Sequence, residues 1–222
     1  MSDVATSEVP TLELREQFRT PEQQRDTASI GMWVFLITEL MLFGGLFVGF
    51  TVYRVSYPQA FDAGSADMNI LLGSINTAVL ICSSLTMALA IHGIQTGSEK
   101  LLALFLIATI ILGAIFLGIK FTEYYLHYQD HKAPGVWFEA AGPYAQKMQL
   151  FFVYYFVMTG LHATHMIIGI GLLSAMIYRT MLGSFTARYH TPVVLAGLYW
   201  HFVDIVWVFL YAIFYISGLH AK

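Results

Sequence analysis

A histidine and an aspartate stand one helical turn apart within Tyr199-Trp200-His201-Phe202-Val203-Asp204-Ile205-Val206-Trp207, in the middle of an apolar run. Ionisable groups at that depth in a bilayer cost about 3 kcal/mol each on insertion scales, so they face a protein interior or a water-filled path. Continued by Val208, Tyr211 and Tyr215, His201 and Asp204 form a stripe that faces other helices. That stripe suits a set of interhelical hydrogen bonds, each contributing about 0.6–2 kcal/mol, or a proton path.

Other polar positions pose the same question. Glu39 sits among Trp33, Phe35, Leu36, Leu42 and Phe43. Two readings stand for it: a proton-handling or carbodiimide-reactive carboxyl lining a cleft, or a carboxyl hydrogen-bonded to a neighbouring helix for packing. His162 and His165 share a helix face within Thr159-Gly160-Leu161-His162-Ala163-Thr164-His165. Imidazoles ligate metals and haem, but such a site needs ligands from facing helices. The other histidines within apolar runs are His92, near a run's end, and His201. Hydrogen-bonded packing therefore outweighs metal binding for this pair. Lys120 and Glu123, also one turn apart, read as an ion pair on the helix surface at the membrane edge. Arg179 and Arg188, with His190, fit lipid phosphates through the guanidinium fork, and ordinary topogenic charge explains them equally well.

The elements that must position these groups follow from hydropathy. The chain has 222 residues, 57% hydrophobic and 11% charged, against roughly 25% charged in a soluble domain. Five runs, 29–53, 69–94, 100–125, 148–178 and 192–219, reach the length of about 20 apolar residues that crosses a bilayer as helix. Transmembrane strands would show strict alternation over about ten residues, and none appears. The expected fold is therefore all-α, a multi-pass bundle of five transmembrane helices over 29–222, preceded by a polar tail over 1–28.

The tail holds Asp3, Glu8, Glu13, Arg15, Glu16, Arg19, Glu22, Arg25 and Asp26, and lacks both the apolar segment of a secretory signal and the acid-poor composition of a transit peptide. It reads as cytoplasmic. With the N-terminus inside, Arg15, Arg19, Arg25, Lys100, Arg179 and Arg188 fall on the cytoplasmic side, and Arg54, Lys132, Lys147 and Lys222 on the other. The bias favours that orientation, with the C-terminus outside. Trp33, Tyr53, Tyr57, Tyr124, Tyr125, Tyr128, Trp137 and Tyr178 resemble interfacial anchors. Gly45 and Gly49 form a GxxxG close-packing pattern. A net charge of -3 without a basic patch gives no footprint for nucleic acid. The single Cys82 permits neither a disulfide framework nor a cysteine metal cluster.

Taken in order, the motifs resemble subunit III of the haem–copper respiratory oxidases. The first run carries Trp33-Val34-Phe35-Leu36-Ile37-Thr38-Glu39-Leu40-Met41-Leu42-Phe43, similar to the family's segment around its carbodiimide-reactive glutamate. The second carries Asn76-Thr77 and Ser83-Ser84-Leu85-Thr86, and the third ends Gly118-Ile119-Lys120-Phe121-Thr122-Glu123-Tyr124. The Thr-Gly-x-His-x-x-His of Thr159 to His165 and the run from Tyr199 to Trp207 complete the pattern.

The resemblance implies an accessory subunit with no catalytic centre, haem or metal of its own; haem and copper belong to partner subunits I and II. It implies packing chiefly against subunit I, bound phospholipid, and support of sustained proton uptake in a complex that reduces oxygen. Glu39 would face a lipid-containing cleft near His165, with Arg179 at a lipid head group. The longest members have seven helices, so this five-helix form would take one wall of that cleft from elsewhere, and a bacterial plasma membrane is the implied home. Cytochrome c oxidase is the leading partner complex; a quinol oxidase or a nitric oxide reductase is the alternative. From another class, an independent haem-binding redox protein using His162 or His201 also stands.

Overall fold

The structure, a computed structural model, describes residues 17–135, 138, 144–186 and 189–217. The tail before residue 17, Trp137, Arg188 and the last run beyond 217 lie outside them. Six α-helices follow in order: α1 (Pro21–Ser56), α2 (Pro58–Ala66), α3 (Ile70–Gln95), α4 (Glu99–Gln129), α5 (Ala145–Met181) and α6 (Thr191–Tyr211). A π-helical turn, Ala212–Ile216, continues α6. Five segments are long and apolar enough to cross a membrane: α1, α3, α4, α5 and α6 with its π turn. Among the described residues there is no strand.

Local chemistry sets the ends. Thr20 caps α1 by accepting from the Gln23 N–H, a donor that the helix leaves unpaired, and the Gln23 side chain accepts from the Arg19 N–H just ahead of the cap. Pro21 fits the first turn, where no donor is needed. Asn69 and Ser98 cap α3 and α4 in the same way, accepting from Leu72 and Leu101. Gly183 ends α5 at φ +67°, which lets the Ser184 N–H reach back to the Arg179 carbonyl. α1 begins at Pro21, ahead of the predicted start at residue 29, because the Thr20 cap and Pro21 nucleate it within the polar tail. The short α2 was not legible as a helix in the sequence: Pro58 starts it, but its composition is that of a loop.

Which face of each helix turns inward follows an inverted rule. On α3 the buried positions Gly73, Asn76, Leu80, Ser83, Met87, Ala90 and Ile94 recur at alternating steps of three and four. That is the knobs-into-holes seam of an antiparallel pair. The outward face carries Leu71, Ile75, Ile81 and Leu85. The inward seam mixes the small and polar Gly73, Asn76, Ser83 and Ala90 with Leu80, Met87 and Ile94, while the outward face is aliphatic, as expected when lipid is as apolar as leucine and close approach drives association.

α3 pairs most extensively with α4, α4 with α5, α5 with α6, and α6 again with α3, forming a four-helix square. α1 lies outside it against α5 and α6, burying only Leu36, Phe43 and Phe50, one residue every seven. The Trp200 indole of α6 wedges between α4 and α5. A methyl group at Gly113 would come within 2.9 Å of that ring, and one at Gly169 within 3.0 Å. α2 plugs one end of the square. Its Phe61 joins an edge-to-face cluster with Phe50, Phe151 and Phe214, and its buried Ser65 hydroxyl donates 2.7 Å to the Phe214 carbonyl in the π turn. The GxxxG pattern is half used: Gly49 meets the Tyr154 hydroxyl of α5, whereas Gly45 faces open space.

Candidate functional site

Glu39 of α1 and His165 of α5 meet across the α1–α5 contact, His165 Nε2 lying 3.0 Å from Glu39 Oε2. His165 Nδ1 stands 2.8 Å from the Leu161 carbonyl. A carbonyl only accepts, so Nδ1 carries a hydrogen and donates, which fixes the tautomer. The Glu39 contact then holds one proton in one of two places. Either the protonated carboxyl donates to neutral Nε2, or Nε2–H of the imidazolium donates to the carboxylate. Net charge is zero in both, so a proton can shift along this bond without leaving uncompensated charge in the apolar surroundings. Phe43 packs 5.4 Å from the imidazole, and the Tyr199 hydroxyl donates 3.0 Å to the His165 carbonyl, fixing the ring's place between α1 and α6.

The pair is not sealed in. Side-chain exposure is 10% for His165 and 17% for Glu39, and both line a cavity of about 480 Å³ between α1, α5 and α6. Its walls run from Glu39 and His165 past Ile168 and Leu172 to Met176 and Pro192. Arg179 lies one turn beyond Met176, near the end of α5, its guanidinium 5.1 Å over the Phe185 ring. No acidic side chain pairs with Arg179 among the described residues. The apolar cavity thus has a polar pair at one end, and one helical turn past Met176 at the other stands a cation with no acidic partner among the described residues.

Lys120 and Glu123 correct the sequence reading. They are not a surface pair at the membrane edge: their side chains are 1% and 5% exposed. Lys120 Nζ donates to Glu123 Oε2, Tyr155 Oη and Tyr215 Oη, each at 2.8 Å, so all three ammonium hydrogens are used. The Tyr215 hydroxyl donates in turn to the Glu123 carboxylate at 2.7–2.8 Å, and the Tyr155 and Trp207 rings face the ammonium at 4.6 and 5.1 Å. The pair turned inward because it continues the α4 seam of Gly113, Phe116, Lys120, Glu123 and His127. Tyr155 was missed in the sequence. Its signal was indirect: a buried lysine needs three acceptors, and Glu123 supplies one.

The remaining candidates disperse. His162 and His165 share a helix but not a neighbourhood. His162 packs against Phe116 at 5.4 Å and Trp207 at 5.1 Å and makes no hydrogen bond, contrary to the expected hydrogen-bonded role. Its aromatic neighbours offer a packing site and few acceptors. His201 meets Ser84 of α3 at 2.7 Å, whereas Asp204 forms no hydrogen bond. The structural polar positions His162, His165, His201, Asp204, Lys120 and Glu123 thus fall into several separate sites. Among the described residues no three His, Cys, Asp or Glu side chains converge on a point that could hold a metal ion.

The family model for cytochrome c oxidase subunit III matches residues 19–219, which takes in every membrane span. The chain belongs to the cytochrome c oxidase subunit III family. It is 32% identical to the cytochrome c oxidase subunit 3 of Thermostichus vulcanus, over 86% of this chain and 88% of that protein. It is 30% identical to the quinol oxidase subunit 3 of Bacillus subtilis, over 89% and 92% of the two chains. Against the cytochrome c oxidase subunit 3 of Scyliorhinus canicula it is 33% identical, covering 85% of this chain but 69% of that longer one. As a subunit III chain it is part of a haem–copper oxidase complex, and the five-span, all-α fold expected from its sequence is the one it adopts.

Proposed function

We propose that this chain is the accessory subunit III of a bacterial cytochrome c oxidase, that it stabilises the complex, and that it holds phospholipid beside a proton-exchanging Glu39–His165 pair. In this reading subunit I is its main contact, with subunit II also in the complex, and those subunits carry the haem and copper. The chain sits in the plasma membrane with its N-terminus cytoplasmic and its C-terminus outside.

The observation that carries the lipid and proton roles is the Glu39–His165 contact on the wall of an apolar cavity whose other end is Met176, one helical turn before Arg179. An acyl chain would lie along Ile168 and Leu172, and its phosphate would meet the guanidinium fork, whose planar donors match phosphate oxygens. Arg179 is half-buried near the end of α5, and an anionic lipid head group would supply it a partner. The pair at the inner end shifts one proton between Glu39 and His165 at constant net charge. It can hand that proton on only as another arrives, since otherwise an ionised carboxylate is left beside neutral His165.

Affinity purification of the chain in mild detergent, with the co-purifying subunits identified by mass spectrometry, tests this reading. A haem–copper subunit I together with a copper-bearing subunit II is the expected result. A quinol oxidase is the second reading, favoured by the Bacillus subtilis relative. A nitric oxide reductase, or a Soret band from the chain purified alone, would overturn the proposal.

A further inference from the structure

α6 is flanked by two grooves, and they differ in one respect. The groove towards α5 is filled by α1, which seats Leu36, Phe43 and Phe50 there and brings Glu39 to His165 near mid-helix. The groove towards α3 is filled by none of the described residues. It opens as a cavity of about 460 Å³ whose floor includes Ser84, His201, Asp204 and Trp207. Its rim is made of outward-facing Ile81, Leu85, Ile205 and Val208, which are 46–61% exposed.

Asp204 makes this groove more than an apolar face. The residue is 7% exposed, both carboxyl oxygens are occluded, and neither accepts or donates a hydrogen bond. Its polar neighbour Ser84 lies close to it without closing a hydrogen bond and stands 2.7 Å from His201 Nδ1. His127 and His162 also lack hydrogen bonds, but they are walled by aromatic rings, Phe152 and Tyr155 for one and Phe116 and Trp207 for the other. Asp204 instead lines an opening on the side of the bundle. An occluded carboxyl without a partner is a costly group that a folded assembly satisfies.

We infer that the α3–α6 groove receives a transmembrane helix of another subunit of the oxidase complex, and that this helix presents one hydrogen-bond donor, a cationic, hydroxyl, indole or amide side chain, to Asp204. This rests on the reading of the chain as an accessory oxidase subunit. Depth selects a helix over a lipid. Asp204 lies midway between Thr191 and Ile216, the ends of the last span, so at roughly 1.5 Å per residue it is about 20 Å from either end. Lipid head groups stay near the interface, and acyl chains carry no donor. A side chain on a spanning helix reaches mid-bilayer without difficulty. α1 already shows the mode, an apolar seam with one polar side chain meeting a polar group on the square.

The test uses the assembled complex in native membranes. With Leu85→p-benzoylphenylalanine, irradiation is expected to join this chain to another protein subunit, and peptide mapping should place the bond in an apolar helix carrying a donor residue. Crosslinks to lipid only, or to a second copy of this chain, overturn the inference. In parallel, Asp204→Leu is expected to cut co-purification of the other subunits at least fivefold, while Asp204→Asn, which still accepts a hydrogen bond, retains more than half. Wild-type recovery with both substitutions overturns it as well. If Asp204→Leu fails to accumulate in the membrane, the photocrosslink, made with Asp204 intact, decides alone. Recovery of oxidase subunits with Leu85 marking only lipid would sink this inference and leave the proposed function standing; recovery of no oxidase subunit would sink both.

Discussion

Lys120 and Glu39 each place a charge-bearing group inside an apolar bundle, and their surroundings answer that problem in opposite ways. At Lys120 three ammonium hydrogens meet three acceptors, a counter-charge lies 2.8 Å away, aromatic rings close the cage, and exposure is 1%. At Glu39 one oxygen meets one imidazole nitrogen, no hydrogen bond from the described residues reaches Oε1, and the pair borders a cavity. A saturated, closed cluster has nothing left to exchange and holds helices together. A half-satisfied pair on the wall of an opening is able to take up or release a ligand or a proton.

The sharpest way to break this contrast is to remove the lysine. Lys120→Met strands the Glu123 carboxylate in the core, and breaking a buried pair from one side destabilises by about 3–5 kcal/mol. Thermal unfolding of the purified complex, or the level of the chain in membranes, should register the loss. The double change Lys120→Met with Glu123→Leu should recover most of it, since an apolar replacement of both partners is often close to neutral. A double variant as unstable as the single one would show that the cluster does more than balance charge.

Tyr215→Phe comes next. It removes one acceptor from Lys120 and the donor to Glu123 while leaving the ring, so about 1–3 kcal/mol is expected. The π turn makes this a position-specific test, because it is this local widening of the helix that carries Tyr215. A loss below about 0.5 kcal/mol in the same unfolding assay would mean that the cluster tolerates an unsatisfied hydrogen.

The contrast also explains what could be read in advance. Run lengths and hydropathy were enough for the five spans, because bilayer thickness leaves few alternatives. Hydrophobic pattern could not orient those spans, since both faces are apolar. The informative signal on α3 was the small and polar series Gly73, Asn76, Ser83 and Ala90. Applied to α4, the same rule would have turned Lys120 inward, where charge alone suggested the membrane edge. The Glu39–His165 meeting lay beyond spacing because it joins residues 126 apart in sequence; it entered through the family resemblance. α2 escaped notice because nine residues with few large apolar groups look like a loop until Phe61 and Ser65 find their partners.

Glu39 sharpens the comparison from the open side. Glu39→Gln keeps a hydrogen bond to His165, since the amide can donate to Nε2, and removes the shared proton. Stability should change by less than about 1 kcal/mol, while proton uptake or turnover-dependent inactivation of the oxidase should change with the haem spectrum untouched. Loss of haem from this variant would count against the accessory role. Treatment with a hydrophobic carbodiimide should modify Glu39 and spare Glu123, read by peptide mass spectrometry. Equal modification of both would erase the distinction between the open and the closed site.

The smallest effect is expected at Arg179, and it is the one that separates a lipid site from topogenic charge. Arg179→Lys keeps the positive charge, so orientation in the membrane and thermal stability should stay as they are. The lysine lacks the planar fork that grips two phosphate oxygens at once and stacks less well on Phe185. If a phosphate sits there, its hold should weaken by roughly 1 kcal/mol, about fivefold, and phospholipid retained by the delipidated complex should fall in native mass spectra. Arg179→Leu should lower it further. Phospholipid retention identical in the wild type and both variants would reduce Arg179 to a topological marker and leave the cavity between α1, α5 and α6 without its polar anchor. The Glu39–His165 pair would then be left with proton exchange as its role.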